Sequence, residues 1–418
     1  MKKKILIFSI CLVVALGIVI AVQLFMLPNM KKADQTNGTS QSGKLASDDI
    51  VTVFNPDIGT TGDNMRAVWV TYYELDMAGT DYSQQAFVDK FTEIAENSKE
   101  YGFNTLIVQV RPFADALYES KYFPSSHIVA KTQGAEIGYD PLKIMCEIAH
   151  SLDMQIHAWL NPYRIAGESL ADKLSENNPY VKNNALGIKW ENQIYFDPSQ
   201  KEVRRLIISG VEEIVKNYDI DGIQYDDYFY PTQSESFDQS SYKAYKESRQ
   251  NSADTLDLAT WRKANVSMLI ADTYYIVHHT KPKVMFGVSP QGNLANNAEL
   301  YADVAAWCNN YGYIDYICPQ IYFSMENPAK SFGDALNDWL QLPKRTGLKL
   351  YIGLAGYKAG TDKDEGTWQG QNDILQQQIK IIEQKELHGF MLFSYGSLLE
   401  EAAAQEMANV VLLLNGED

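Results

Sequence analysis

The sequence predicts an α/β fold: a single (β/α)8 TIM barrel, preceded by an N-terminal membrane segment and a flexible linker. Three observations predict it. From Arg66 onward, short apolar, β-branched runs alternate with amphipathic helical stretches, the pattern of a parallel sheet with crossover helices. Eight such runs can be counted along the chain. Their polar residues gather at the C-terminal ends, the end of a barrel where sites are assembled.

The runs are 66–73, 104–112, 155–164, 222–231, 284–292, 314–323, 350–358 and 389–398. Helical stretches follow them at 83–101, 141–152, 200–218, 258–279, 303–310, 331–340, 373–385 and 400–414. In the first of these, Phe87, Phe91, Ile94 and Ala95 fall on one helical face. An open doubly wound sheet would carry a glycine-rich phosphate turn after its first strand, and none follows Tyr73. The long connections 113–139, 165–193 and 232–257 all follow strands, so they lie on the functional lip. Loops of such length are usually functional, and Phe123, Tyr180 and Trp190 in them are available for stacking.

Residues 1–27 read as a targeting segment. Lys2, Lys3 and Lys4 precede an uncharged stretch from residue 5 to 27, and a bilayer needs about 20 apolar residues. The flanking lysines favour an N-in signal anchor; a cleaved signal peptide is the alternative. The expected location is the cell membrane with the barrel outside, or secretion if the segment is cleaved. Cys11 lies within the apolar run and reads as a membrane residue. Residues 28–63 are rich in Asn, Gly, Ser, Thr, Asp and Lys, the composition of a flexible linker. Residues 64–418 then form one barrel domain, with no internal repeat.

The net charge of −17 over 418 residues disfavours nucleic acid as a partner. It is compatible with a neutral or cationic glycan. Cys146, Cys308 and Cys318 form no disulfide framework; they read as buried thiols, although Cys308 and Cys318 could pair. There is no CxxC, no HExxH and no zinc spacing, and the neighbours His278 and His279 point in different directions on a helix. No metal and no cofactor is expected.

Residues 221–231, DGIQYDDYFYP, carry the most information. A strand runs directly into two carboxylates and a set of aromatics, and buried charge at a strand end must be paired or used. Rings beside carboxylates suit a site that stacks sugars and handles their protons. Side-chain alternation puts Gln224, Asp226 and Tyr228 on the face of the barrel mouth. Asp227 then leans toward the helix layer or the next loop. Other polar strand ends are Trp69 to Glu74, Gln109 and Arg111 with Asp115 beyond, Trp159 with Asn161 and Arg164, Ser289 with Gln291, Gln320 with Tyr322, and Ser394 with Tyr395. Each alone could cap or bridge backbone; together they form a ring. Most glycosidases need two carboxyls. Glu74, Asp115 and Glu326 are candidates for the second. A sugar N-acetyl group acting in its place is the other solution.

Several long motifs resemble the glycosyl hydrolase-like 10 family. They are Arg66-Ala67-Val68-Trp69-Val70, Phe103-Asn104-Thr105, Gln109-Val110-Arg111-Pro112 with Asp115-Ala116-Leu117-Tyr118, the run from His157 to Arg164, the run from Asp221 to Pro231, and Pro319-Gln320-Ile321-Tyr322. The resemblance spans roughly residues 64–400. It implies a glycosidase-type barrel acting on bacterial cell-wall glycan, specifically strands stripped of their peptides. It implies that Asp226 and Asp227 are the acidic pair, and that Arg111, Asp115, Asn161 and Arg164 occupy recurring lip positions. The family commonly has His where this chain has Gln224, so a titrating side chain beside the acids is missing.

The sequence therefore leads to a cell-surface glycoside hydrolase acting on a cell-wall polysaccharide or oligosaccharide. Asp226 is the acid/base, and Asp227 orients the sugar or tunes Asp226. Arg111, Asp115, Asn161, Arg164, Gln224, Tyr228, Gln291, Gln320, Tyr322, Trp69 and Trp159 are the candidate substrate-binding residues. The alternative is a non-catalytic glycan-binding module on a decayed barrel. Linkage, stereochemistry and oligomeric state are left open.

Overall fold

Apolar runs buried on both faces build the sheet of this α/β structure. The computed structural model describes residues 64–249 and 255–416. The segment 1–27, with its membrane reading and Cys11, and the linker 28–63 lie outside the described residues. Among the described residues, no helix is long and apolar enough to cross a membrane.

The barrel strands are β1 (Met65–Val70), β2 (Thr105–Arg111), β3 (Gln155–Leu160), β4 (Gly222–Tyr225), β5 (Met285–Val288), β6 (Tyr316–Ile317), β7 (Lys349–Leu350 and Ile352–Ala355, on either side of Tyr351) and β8 (Gly389–Phe393). They pair in parallel in that order. The first piece of β7 pairs with β6 and the second with β8, which in turn pairs with β1. The Tyr351 and Gly353 amides donate to the Ile317 and Pro319 carbonyls at 3.0 and 2.9 Å, so β6 stays bonded to β7 across the break. The sheet thus returns on itself, consistent with a TIM barrel.

Alternation divides the strand residues between two cores. Met65, Ala67, Trp69, Ile107, Trp159, Met285, Tyr316, Tyr351 and Met391 meet inside the ring. Val68, Val70, Leu106, Val108, Ile156, Ala158, Ile223 and Val288 pack outward in the helix layer. Two glycines make room for the interior layer. A Cβ at Gly222 would overlap the His157 imidazole, and one at Gly287 would overlap the Tyr316 ring. Those two rings are bonded to each other, Tyr316 Oη to His157 Nδ1, at 3.1 Å. Burial lowers the His157 pKa to about 4, so the imidazole is neutral.

The helices fall within a residue or two of their expected bounds: Gln84–Glu100, Pro141–Ser151, Lys201–Asn217, Leu258–Thr280, Val304–Asn309, Phe332–Gln341 and Ile374–Gln384. Side-chain caps fix several starts. Ser83, Asp140, Asp257 and Ser331 accept from Ala86, Lys143, Thr260 and Asp334 amides respectively. The last helix starts later than expected, at Ala404, because a 3-10 turn occupies Glu401–Ala403.

Three expectations are corrected. The strands are shorter than the apolar runs: β1 ends at Val70 and β4 at Tyr225. Beyond Val70 the chain turns into a short helix, Tyr72–Leu75, held by a capping box between Thr71 and Glu74. The connection 165–193, read as a loop, contributes to a small antiparallel sheet of Arg164–Ala166, Gln193–Phe196 and Gly187–Trp190. The connection after β4 carries the helix Gln239–Glu247, and Asp238 just before it pairs with Arg262 where both side chains are fully buried. Cys146, Cys308 and Cys318 are buried and free, as expected, and Cys308 does not pair with Cys318.

The interior layer yields a stability test. Overpacking a filled core costs about 1–3 kcal/mol, so Gly287→Ala is expected to lower the unfolding free energy by roughly that amount. Chemical denaturation measures it; an unchanged midpoint would contradict the packing of Tyr316 against Gly287.

Candidate active site

Asp226 is the first residue past β4, and it continues the inward-facing row of Gly222 and Gln224. Its carboxylate is buried and held on both oxygens. Trp159 Nε1 donates to Oδ2 at 3.0 Å, and the Asn161 amide donates to the same oxygen. The Tyr228 backbone N–H donates to Oδ1 at 3.2 Å. Asn161 is itself aimed from behind. Gln109 Nε2 donates to Asn161 Oδ1 at 2.6 Å, and the Tyr72 backbone N–H donates to Gln109 Oε1 at 3.1 Å. This chain fixes which way both amides face.

Asp227 does not lean toward the helix layer as alternation suggested. The strand ends at Tyr225, the period of two lapses, and Asp227 swings to the mouth beside Asp226. The Gln291 side-chain amide donates to its Oδ2, and Gln320 Nε2 donates to its Oδ1 at 3.1 Å. Gln320 Nε2 also donates to the Ser289 carbonyl at 2.9 Å. Burial, reinforced by the Asp227 charge, pushes the Asp226 pKa up to about 7. Burial also raises that of Asp227, against the pull of the Gln320 and Gln291 amides.

Both acids line a cavity of about 520 Å3. Its wall includes Trp69, Trp159, Arg164, Tyr228, Gln291, Gln320 and Tyr322 from the expected set. It also includes Tyr72, Tyr73, Glu74, Gln109, Tyr357, Phe393 and Ser394. A second cavity of about 400 Å3 shares Arg164, Asp227, Tyr228 and Gln291 with the first. Gln193 and Tyr195 from the small sheet, with Phe229, Tyr230, Pro231 and Leu300, complete it.

Four expected residues stand behind the wall rather than on it. Arg111, Asp115, Asn161 and Gln224 are all fully buried. The Arg111 guanidinium lies 4.9 Å from the Phe123 ring centroid and donates to the Pro162 carbonyl at 3.3 Å. Phe123, read as a stacking residue, is consumed in that contact. Trp190 packs on Phe237 with ring centroids 5.7 Å apart. Asp115 accepts from His127 Nδ1 at 3.0 Å and Gln133 Nε2 at 2.9 Å. Gln224 accepts from Trp69 Nε1 at 2.6 Å and donates to Tyr316 Oη at 3.2 Å. It therefore fixes the indole that faces the cavity, and its bonds do not reach Asp226.

Of the three candidates for a further carboxylate, Glu74 lines the cavity with the pair. Both of its oxygens are already used: Oε2 by Thr71, and Oε1 by Ser394 Oγ at 2.9 Å and the Gly396 amide at 3.0 Å. Asp115 is buried elsewhere, and Glu326 lines neither cavity. Phe393 and Tyr357 were not anticipated. Their only sequence signal was an aromatic at or just past a strand end, which core aromatics share. Tyr395, expected at the lip, instead accepts from Asn97 Nδ2 at 3.0 Å in the helix layer. Among the described residues, no group of three or more His, Cys, Asp or Glu could hold a metal ion.

A parallel α/β barrel with an aromatic-walled cavity and a buried carboxylate pair at its C-terminal mouth is the glycosidase-type arrangement. The chain belongs to the glycosyl hydrolase-like 10 family, whose model matches residues 64–370. It is 36% identical over 360 residues to Glycosyl hydrolase YngK of Bacillus subtilis, covering 80% of this chain and 68% of that one. It is 33% identical over 312 residues to Glycosyl hydrolase DigH of Escherichia coli K12, covering 68% of this chain and 69% of that one. Among solved structures it is similar to the PgaB (BpsB) glycoside hydrolase domain from Bordetella bronchiseptica, with a TM-score of 0.55. That match has 10% identity and covers 82% of this chain and 98% of the other; at this identity it shows the fold alone.

The raised Asp226 pKa has a consequence for stability. The folded state holds this proton up to about pH 7, whereas an unfolded Asp releases it near about 3.9. The folded form therefore loses stability as pH rises between those values and carries the full cost above them. Asp226→Asn is expected to raise Tm at pH 8, by an amount that shrinks toward pH 4. Calorimetry over that range checks it; a Tm gain independent of pH would contradict it.

Proposed function

We propose that the protein is a cell-surface glycoside hydrolase that cleaves the amino-sugar glycan of the bacterial cell wall, in the form of peptide-free strands. One observation carries the reading: a carboxyl with a pKa of about 7 sits beside a second carboxyl in an aromatic-walled cavity at a barrel mouth. A general acid works best with a pKa near the operating pH. Family membership supports the reaction class. The substrate follows from the resemblance of the motifs, and the location outside the membrane, held by residues 5–27, from the sequence.

In this reading Asp226 gives its proton to the glycosidic oxygen as the bond to the anomeric carbon breaks. The acetamido oxygen of the same sugar meets the developing positive charge, as in substrate-assisted hydrolysis. Asp227, held by Gln291 and Gln320, accepts a hydrogen bond from the acetamido N–H, whose proton stays on nitrogen, and so aims that oxygen. Asp226, now a carboxylate, removes a proton from water as the water opens the cyclic intermediate, and the cycle is restored. Trp69 and Trp159 supply apolar wall, and Tyr228 bonds hydroxyls. Glu74 is not required, and its hydrogen bonds tie Thr71 to Ser394 and Gly396 across the rim.

A second reading is a glycan-binding module without turnover: among the described residues, the other carboxylate on the cavity wall, Glu74, is held by Thr71, Ser394 and Gly396. Mass spectrometry for new reducing ends on peptide-free glycan separates the two. The hydrolase reading expects products from the wild type, and loss of at least about a thousandfold in kcat in Asp226→Asn with binding retained, in line with acid-base contributions of 10²–10⁴. It expects activity to fall as pH rises through about 7, where Asp226 loses its proton. Undiminished turnover in Asp226→Asn would remove the assignment.

A further inference from the structure

Arg164 is the one cationic side chain lining either cavity among the described residues, and it lines both. Its backbone begins the small sheet, in register with Tyr195, so the wall of the second cavity fixes where it stands. Its guanidinium is held between two rings, 5.1 Å from the Phe113 centroid and 4.9 Å from the Tyr228 centroid. Such stacking orients the plane of the fork and leaves its edge open for hydrogen bonds. No carboxylate of the protein lies within ion-pair distance among the described residues, and Nε is buried without a protein hydrogen-bond partner.

The Arg164 charge holds the pKa of both neighbouring acids down, against burial, but it is not their hydrogen-bonding partner. Both Asp227 oxygens are taken by Gln291 and Gln320, and both Asp226 oxygens by Trp159, Asn161 and the Tyr228 amide. A guanidinium used only to balance buried carboxylates would be expected to pair with one of them. Instead the fork is left for something that enters the cavities, and a planar, bidentate donor matches a carboxylate.

We infer that Arg164 binds a carboxylate borne by a sugar lying across the two cavities, so that the substrate class is an anionic, carboxylate-bearing glycan. This departs from the neutral or cationic glycan with which the overall charge is compatible: an acidic protein that takes an anionic sugar needs a local cation at the point of contact. On the hydrolase reading, on which the turnover part of this inference rests, it gives a reason for a peptide-free strand. A lactyl carboxylate joined to peptide is an amide and carries no charge there, whereas the freed group does.

The probes are the methyl glycoside of N-acetylmuramic acid and its neutral methyl ester, titrated calorimetrically against wild type, Arg164→Gln and Arg164→Lys. A charged hydrogen-bonded pair is worth about tenfold or more in Kd. Wild type is expected to favour the acid by that factor, and Arg164→Gln to bind acid and ester alike while keeping its affinity for the ester. Arg164→Lys keeps the charge without the fork and is expected to retain part of the preference; it serves as the test if Arg164→Gln does not fold. Equal binding of acid and ester by wild type would overturn the inference. So would a variant that weakens both ligands equally, or a variant that only shifts the pH-rate profile, since either reports a cation acting on Asp226 and Asp227. Parallel assays of peptide-free strands, with native and esterified carboxyls, keep the two claims apart. Preference for the acid in binding with no hydrolysis in wild type would remove the enzymatic reading and leave the assignment of Arg164 standing.

Discussion

A carboxylate buried at the barrel mouth without an ion pair is the constraint on which the rest of the site depends. Burying such a charge costs several kcal/mol unless it is hydrogen-bonded or protonated. Asp226 uses both remedies: Trp159, Asn161 and the Tyr228 amide hold its oxygens, and its pKa rises to about 7. The donors are themselves fixed. Asn161 is turned by Gln109, Gln109 by the Tyr72 amide, and the Trp69 indole by Gln224. Strands one to four are thus tied together through one hydrogen-bonded layer beneath the cavity.

Asp227 is adjacent in sequence but belongs to the other side of the ring. Its partners follow β5 and β6. The end of β4 at Tyr225 makes this possible, since a strand continued by two residues would have sent the two side chains to opposite faces. The two neighbouring acids are therefore clamped from opposite directions and face one cavity. Two carboxyls so placed cannot both ionise cheaply, and the proton they keep is the one acid-base chemistry uses. Arg164, stacked between Phe113 and Tyr228, adds a cation near this pair without consuming either acid.

Much of the barrel was legible because its strands are buried on both faces and read as continuous apolar runs, separated by stretches of helical periodicity. Gln291 and Gln320 were legible as lip residues from their place after β5 and β6, but not as the donors that hold Asp227. Other lip residues were legible by position but not by direction. Arg111, Asp115 and Asn161 sit at strand ends yet point behind the wall, because a strand-end rule does not say on which side of the ring a loop turns back. The small sheet was hidden by its turn: Trp190 pairs with Gln193 across Glu191 and Asn192, and Glu191 takes a positive φ of 52° without the glycine that usually signals it. Phe393 and Tyr357 look like core aromatics in sequence, and only closure of β7 against β8 turns them toward the cavity.

The central claim is that Asp226, beside Asp227 inside the barrel mouth, keeps its proton up to about pH 7. Carboxyl carbon-13 NMR of protein labelled at aspartate, followed through a pH titration in wild type and Asp226→Asn, addresses it directly. The account predicts a resonance titrating near pH 7 that is absent from the variant. Titration of every aspartate in the ordinary carboxylate range, with no signal near neutrality assignable to position 226, would contradict it.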